Sequence, residues 1–418
     1  MSYIHEFAKI DFDALRKYRV GTLRRTMKAK GIDAYFVCYS GNVRYMTDYH
    51  MFPENGMEMA YASLLLQDDE PFLFPLSGDY EWIVARINWL APSHIIPLRM
   101  PIGGIHVDTE EEAHFVNNLK AVLDKSGVRS GNLAVDVLTN TLEASFKKNL
   151  PSFDIVDHSA LMNARAIRCE EEIKIFELST ALTNGAASVA IDSMREGKKE
   201  CDVAGEVARY YYKENVDTIT WNPQILSGPN VAPYFRLTTD RVIARGDPWY
   251  LDIGAQYLGY CSTSSMFGTL GKPTDEQREK YRALYDSTQA ALKVLKPGVM
   301  NSEVFAAADK IMNEYGYRKY VTNVPDVPFV ACKSPIPPSL GWGAEGIGTL
   351  PHEFPDISGQ SEKKPVRLEK NMVFRFHPNF FVKGVGGGRL KNMVVVGDPA
   401  PRILTKTFEY GAKIFDYP

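Results

Sequence analysis

One block of this sequence is written twice. A helix-compatible run from about Cys169 to Met194 stops at Gly197, and a second run covers roughly 201–215. A run from Thr274 to Leu295 ends in Lys296-Pro297-Gly298, and another follows from Ser302 to about Tyr315. Gly197 falls on Gly298, Val203 on Val304 and Ile191 on Leu292, a constant offset of 101 residues. Tyr281, Leu284, Tyr285, Thr288, Ala291, Leu292 and Leu295 recur at helical spacing. Glu170, Glu171 and Glu172 open the first helix, where carboxylates suit the positive end of the helix dipole. Apolar runs and Gly/Pro turns follow each helix pair. A helix–helix–sheet unit repeated in one chain predicts a pseudo-symmetric α+β domain with a cleft between two sheets.

The region before the repeat reads differently. Residues 12–30 are amphipathic and basic, with Leu15, Tyr18, Val20 and Leu23 among charges. Strand-like runs at 33–40, 62–67, 71–76 and 132–137 alternate with helical patterns at 110–126 and 140–149, which predicts an α/β layer domain. A chain of 418 residues suits two domains, placed at 1–158 and 159–418. No nucleotide-binding glycine signature follows these strands, and Gly103-Gly104 reads as a turn.

Composition removes several classes of function. Lys and Arg number 48 against 51 Asp and Glu, so the basic footprint of a nucleic-acid binder is missing. No apolar run approaches the roughly 18 residues of a membrane span. The N-terminal stretch lacks the apolar core of a signal peptide, and a cytoplasmic location is expected. Cys38, Cys169, Cys201, Cys261 and Cys332 are scattered without CxxC pairs and read as free thiols.

Four glycine- and aromatic-rich segments lie among the repeated helices: SGPNVAPYFRLTTDRVIARGD (227–247), YLDIGAQYLGYCSTSSMFG (250–268), GWGAEGIGTLPHEFP (341–355) and MVFRFHPNFFVKGVGGGRLKNMVVV (372–396). Their order and spacing, with NVRYMTDY (42–49), resemble the creatinase/aminopeptidase superfamily. That resemblance implies a pita-bread C-terminal domain behind an α/β creatinase-like N-terminal domain. It also implies a homodimer.

Metallopeptidases of this superfamily hold two metal ions with two Asp, one His and two Glu. On this sequence the resemblance puts Asp252 at the first Asp position and Thr263 at the second, eleven residues on. The His position, seven before His352, holds Glu345; the Glu before a Pro is His377; the last Glu is Lys391. Two divalent cations need several anionic oxygens. These five residues sum to −1 with neutral His, and one is itself a cation. A two-metal peptidase is therefore not expected, and no cofactor is assigned. Asp252, Glu345 and His377 remain as an alternative one-metal set.

The expected activity is instead metal-independent cleavage of a small charged molecule, by C–N hydrolysis or β-elimination. His377 or His352 is the expected base, since imidazole titrates near neutral pH. Lys391, Glu345 and Asp252 complete the candidate catalytic set. Arg389, Tyr234, Phe235, Arg236, Glu353, Thr263 and Trp342 are the candidate substrate contacts. Arg389 and Lys391, two apart, fall on one face of a strand. The aromatic pair Tyr234-Phe235 resembles dimethylsulfoniopropionate lyases of the superfamily, and GIGTLPH resembles a creatinase segment, although creatine itself is not expected to bind. A non-catalytic binding homologue and a mononuclear metal enzyme are the alternatives.

Overall fold

The computed structural model describes residues 9–50, 61–75, 80–97, 109–232, 236–316, 340–382 and 386–417. Gly103-Gly104, Tyr234, Phe235 and Cys332 lie outside the described residues. Two compact units, Ala8–Arg165 and Ala166–Pro418, divide the described chain.

In the first unit α1 (Phe12–Lys30) starts at Asp11, whose side chain accepts from Ala14 N–H at 2.9 Å, and stops at Gly31 with φ +63°. There follow β1 (Ala34–Val37), α2 (Ser40–Thr47), β2 (Ala62–Leu66), β3 (Phe72–Phe74), α3 (Tyr80–Arg86), α4 (Thr109–Lys125), β4 (Gly131–Val135), α5 (Asn140–Asn149), β5 (Phe153–Val156) and α6 (Ser159–Ala164). The strands form one sheet in the order β3-β2-β1-β4-β5, with β1, β4 and β5 parallel and β2 antiparallel to β1. Alternation along β1 sends Tyr35 and Val37 to a core with Leu23 and Met27 of α1, and Ala34 and Phe36 to a second core with Phe115, Leu119 and Phe146. Both sheet faces are covered, as expected of an α/β layer. Arg165 closes this unit rather than opening the next, because its guanidinium bonds Asn42 and lies 4.5 Å over the Tyr45 ring.

The second unit opens with α7 (Glu170–Ser193) and α8 (Glu200–Lys213), then β6 (Thr218–Ile219), β7 (Gln224–Ser227), β8 (Pro248–Tyr257) and β9 (Tyr260–Thr269). The second helix pair is α9 (Asp275–Val294) and α10 (Asn301–Glu314). After it come β10 (Leu340–Gly341), β11 (Ala344–Gly346), β12 (Glu353–Ile357), β13 (Val373–Phe376), β14 (Asn379–Val382), β15 (Gly386–Arg389), β16 (Asn392–Val395), β17 (Arg402–Ile403) and α11 (Thr407–Phe415). β8 pairs with β6, β7 and β9, and a second sheet runs β12-β11-β13-β16-β17. The β8–β9 hairpin turns at Leu258 and Gly259, both at positive φ, which matches the twist of the flanking strands.

The repeat extends to single hydrogen bonds. Gly197 N–H donates to Ile243 O at 2.9 Å and Gly298 N–H to Leu368 O at 2.7 Å. Glu200 N–H donates to Arg241 O at 3.0 Å and Asn301 N–H to Val366 O at 2.9 Å. Isolated bridges Lys199–Val242 and Met300–Arg367 occupy corresponding places. No described helix is long and apolar enough to cross a membrane.

Candidate functional site

Asp252 stands mid-way along β8, paired by backbone register with Gln224 of β7 and Ser265 of β9, and is 3% exposed. A carboxylate buried this deeply needs donors. Tyr250, two residues back on the same face, donates its OH to Oδ2 at 2.9 Å. Lys391 arrives from the other sheet: its N–H donates to Ser265 O at 3.0 Å, and Thr407 Oγ1 donates to its carbonyl at 2.8 Å. From there Lys391 Nζ donates to both Asp252 oxygens, at 2.7 and 2.8 Å. Arg389 Nη1 lies 3.7 Å from Oδ2. Arg389 and Lys391 thus converge on one carboxylate.

Burial works to raise the Asp252 carboxyl, but Lys391 and Arg389 outweigh it and hold it below the usual range. Burial pushes Lys391 down to about 7, helped by Arg389 and Arg375 and opposed by Asp252. The two shifts pull opposite ways on one pair. Two short contacts to a carboxylate held low decide for the ionic form.

The second cluster forms across the other sheet. Glu345 of β11 pairs in register with Arg375 of β13, and the guanidinium bonds its carboxylate. His352 Nδ1 lies 2.8 Å from Glu345 Oε2 and 2.6 Å from Arg375 Nη2. His377, just past β13, brings Nε2 to 3.4 Å from Glu345 Oε1. Gly343 admits that ring, since a Cβ there would stand 2.9 Å from His377 Cε1. Burial again works to raise Glu345, yet His352, His377 and Arg375 hold it well below the carboxylate range. Burial lowers His377 to about 4 against the pull of Glu345, so its ring is neutral at pH 7. The Trp221 ring joins the clusters, with Lys391 Nζ 4.5 Å and Arg375 Cζ 5.7 Å from its centroid.

Other expected contacts lie elsewhere. Glu353 is not free for substrate: Arg168 bonds one oxygen, Leu350 N–H donates to the other at 3.0 Å, and the side chain is buried. Arg168 also lies 3.5 Å from Glu172, which accepts from Tyr260 OH at 2.7 Å, so Glu353 braces the turn before β12. Thr263 is buried and donates to Ile253 O at 3.2 Å within its hairpin. Arg236 is exposed beside Asn230, 3.4 Å from its Oδ1. Trp342 is buried against Phe376, ring centroids 5.0 Å apart. Tyr250 was not anticipated, although its spacing from Asp252 on a strand marks it. Arg375 emerges as the direct partner of Glu345, which only the strand register reveals.

These residues do not fit a metal pair. Both Asp252 oxygens are taken by an ammonium, and Glu345 by a guanidinium and imidazoles. Among the described residues no group of three or more His, Cys, Asp and Glu is suited to a metal ion. The alternative set of Asp252, Glu345 and His377 is therefore not brought together as ligands.

Residues 175–398, more than half of the chain, match the model of metallopeptidase family M24, and residues 19–167 match the creatinase/prolidase N-terminal domain. The chain belongs to the M24 family, and its fold is the pita-bread fold behind a creatinase-type α/β domain. An Xaa-Pro dipeptidase from Pyrococcus furiosus is 29% identical over 277 residues, 66% of this chain and 72% of that protein. The uncharacterized peptidase YqhT of Bacillus subtilis is 23% identical over 92% of this chain and 96% of its own length. Among solved structures, a dipeptidase from Pyrococcus horikoshii OT3 superposes with a TM-score of 0.74 at 22% identity, covering 93% of this chain and 98% of that one. These relatives overturn the expectation of a metal-independent, non-peptidase hydrolase or lyase, because the proteins that match are named as peptidases.

Proposed function

We propose that this protein is a peptidase acting on short peptides, with Xaa-Pro dipeptides as the first substrate class to test. The observation that carries this reading is the M24 match over residues 175–398, supported by 29% identity to an Xaa-Pro dipeptidase. Peptide hydrolysis needs a group that accepts a proton from water and positive charge near the carbonyl oxygen. His352, with 64% of its side chain exposed, meets the first need, and Glu345 orients its ring. Arg375, in contact with both, meets the second. No step is routed through metal ions, which the residues around Asp252 and Glu345 do not fit.

The test is release of free proline from Gly-Pro and Ala-Pro, beside Gly-Ala as control, with and without added manganese or cobalt. Faster cleavage of the Xaa-Pro peptides supports the reading. Folded protein that cleaves none of them under any of these conditions overturns it.

A further inference from the structure

A cleft of about 740 Å³ runs beside α1 within the first unit, on residues that the candidate catalytic set does not use. Lys17, Gly21, Arg24 and Arg25 line it from α1, and Met46 and Trp89 from other segments. Val20, Met46 and Leu90 on its walls are 7%, 2% and 7% exposed, and apolar walls of this kind focus the field of nearby charges.

The cations of the cleft are answered unequally. Arg16 is committed: it lies 2.7 Å from Asp13 and 3.0 Å from Asp48, and its guanidinium stands 4.5 Å over the Trp89 ring. Arg24 bonds the Asp69 carbonyl and reaches Glu70 only at 3.7 Å, and its Nε is buried without an acceptor. Among the described residues Arg25 bonds only the Thr22 hydroxyl, at 2.9 Å, and Lys17 bonds nothing. Both are exposed, and neither has a carboxylate within reach.

Gly21 stands between them. Lys17 and Arg25 lie one helical turn to either side of it, about 6 Å along the axis each way and on the same face. Glycine weakens a helix interior relative to alanine, so its place in the middle of a 19-residue helix needs a reason. Its φ is not left-handed. Packing supplies no reason either. Its own helix backbone and chain neighbours aside, a Cβ at Gly21 would meet one atom within 4 Å, Arg25 Nη1 at 3.4 Å. The missing methyl keeps space open between two unpaired cations.

We infer that this cleft binds a small, multiply charged oxyanion, with Lys17 and Arg25 as its cationic contacts and Gly21 as the gap that admits it. Arginine grips phosphate or carboxylate oxygens through a planar fork, and lysine adds a point charge. The volume suits a small organic molecule. Lys and Arg number 48 against 51 Asp and Glu over the chain, so the positive patch is local and fits a small ligand rather than a nucleic acid. A phosphate monoester and a polycarboxylate share this chemistry. Neither depends on the peptidase reading.

The test is isothermal titration of the full chain with glycerol phosphate, citrate and, as the uncharged control, glycerol, in NaCl that holds ionic strength constant. At least one anion should bind stoichiometrically, and glycerol should not. Binding of the phosphate ester alone assigns the site to phosphates, and binding of citrate alone to carboxylates. Lys17→Gln combined with Arg25→Gln should weaken binding by about tenfold or more with the melting temperature unchanged. Gly21→Ala should weaken binding several-fold yet raise the melting temperature, since alanine is the better helix former. Failure of both anions to bind overturns the inference, as does glycerol binding as well as they do. Unchanged affinity in the double variant or in Gly21→Ala also overturns it. So does a Gly21→Ala protein less stable than the parent, because the glycine then serves the fold.

Discussion

Glu200 and Asn301 stand at the same place in the two halves of the Ala166–Pro418 unit, three residues past a glycine of positive φ, and both are fully buried. Their backbones bond alike; their side chains do not. Glu200 accepts from Ser227 N–H at 2.6 Å and Thr239 N–H at 3.0 Å, and from both hydroxyls, at 2.8 and 2.7 Å. Asn301 donates to Asp356 O at 3.0 Å and Lys364 O at 3.2 Å, and accepts from Val366 N–H at 2.9 Å. The site shows the same divergence on a larger scale. The first half supplies the lone carboxylate Asp252, whereas the second supplies Glu345 with Arg375, Arg389 and Lys391. Backbone geometry repeats because each half makes the same turn. Buried polar side chains are free to differ, provided each finds a partner.

The largest effect that sharpens this contrast is expected at Lys391. Lys391→Met leaves Asp252 charged and buried without its cation, which should cost about 3–5 kcal/mol of stability in urea unfolding. Adding Asp252→Asn should recover most of the loss. A cost below about 1 kcal/mol would show that the pair is not what closes the two sheets on each other. Next come the two organisers. Glu200→Ala and Asn301→Ala should each lose about 1–3 kcal/mol through stranded backbone groups, with Glu200 the costlier because its acceptor is charged. Glu200→Gln should be milder than Glu200→Ala if hydrogen bonding rather than packing is the cause.

The turns themselves give a smaller and matched pair of effects. Gly197 and Gly298 have φ of +83° and +92° with open space around a built Cβ. Alanine at either should cost about 1–2 kcal/mol, all of it backbone strain. Clearly unequal costs would break the equivalence of the halves. The smallest effect is expected from pH. His377 is held neutral down to about 4 from an ordinary 6.5, so the unfolded chain binds a proton first as pH falls. Stability should drop from about pH 6.5 towards 4 and be restored on raising the pH. With 23% of the side chain open to solvent the effect is screened. A His377→Asn protein should show a flatter profile over that window.

The repeat was legible because glycine at positive φ and helical spacing are local signals. The Asp252–Lys391 pair was legible as a change of charge type at ordered positions, and its closure follows from the Ser265–Lys391 bridge. α2 was not legible, because its N-terminal support comes from Asp136, which accepts from Tyr39 N–H at 3.0 Å across 97 residues. Glu353 was misread for a similar reason: its partner Arg168 is 185 residues away, and adjacency to His352 says nothing about where a strand side chain turns. Loss of metal-ligand types was read as loss of peptidase chemistry. Those substitutions bear on which ions the site admits, whereas family membership is carried by the rest of the chain.

The central claim is that Lys391 occupies Asp252 where a cation would otherwise bind. Crystals grown with MnCl2 and measured at the manganese absorption edge test it most directly. The account predicts no anomalous peak within bonding distance of Asp252, with Lys391 Nζ still in contact with both carboxylate oxygens. A manganese peak on Asp252, with the Lys391 side chain turned away, would contradict it.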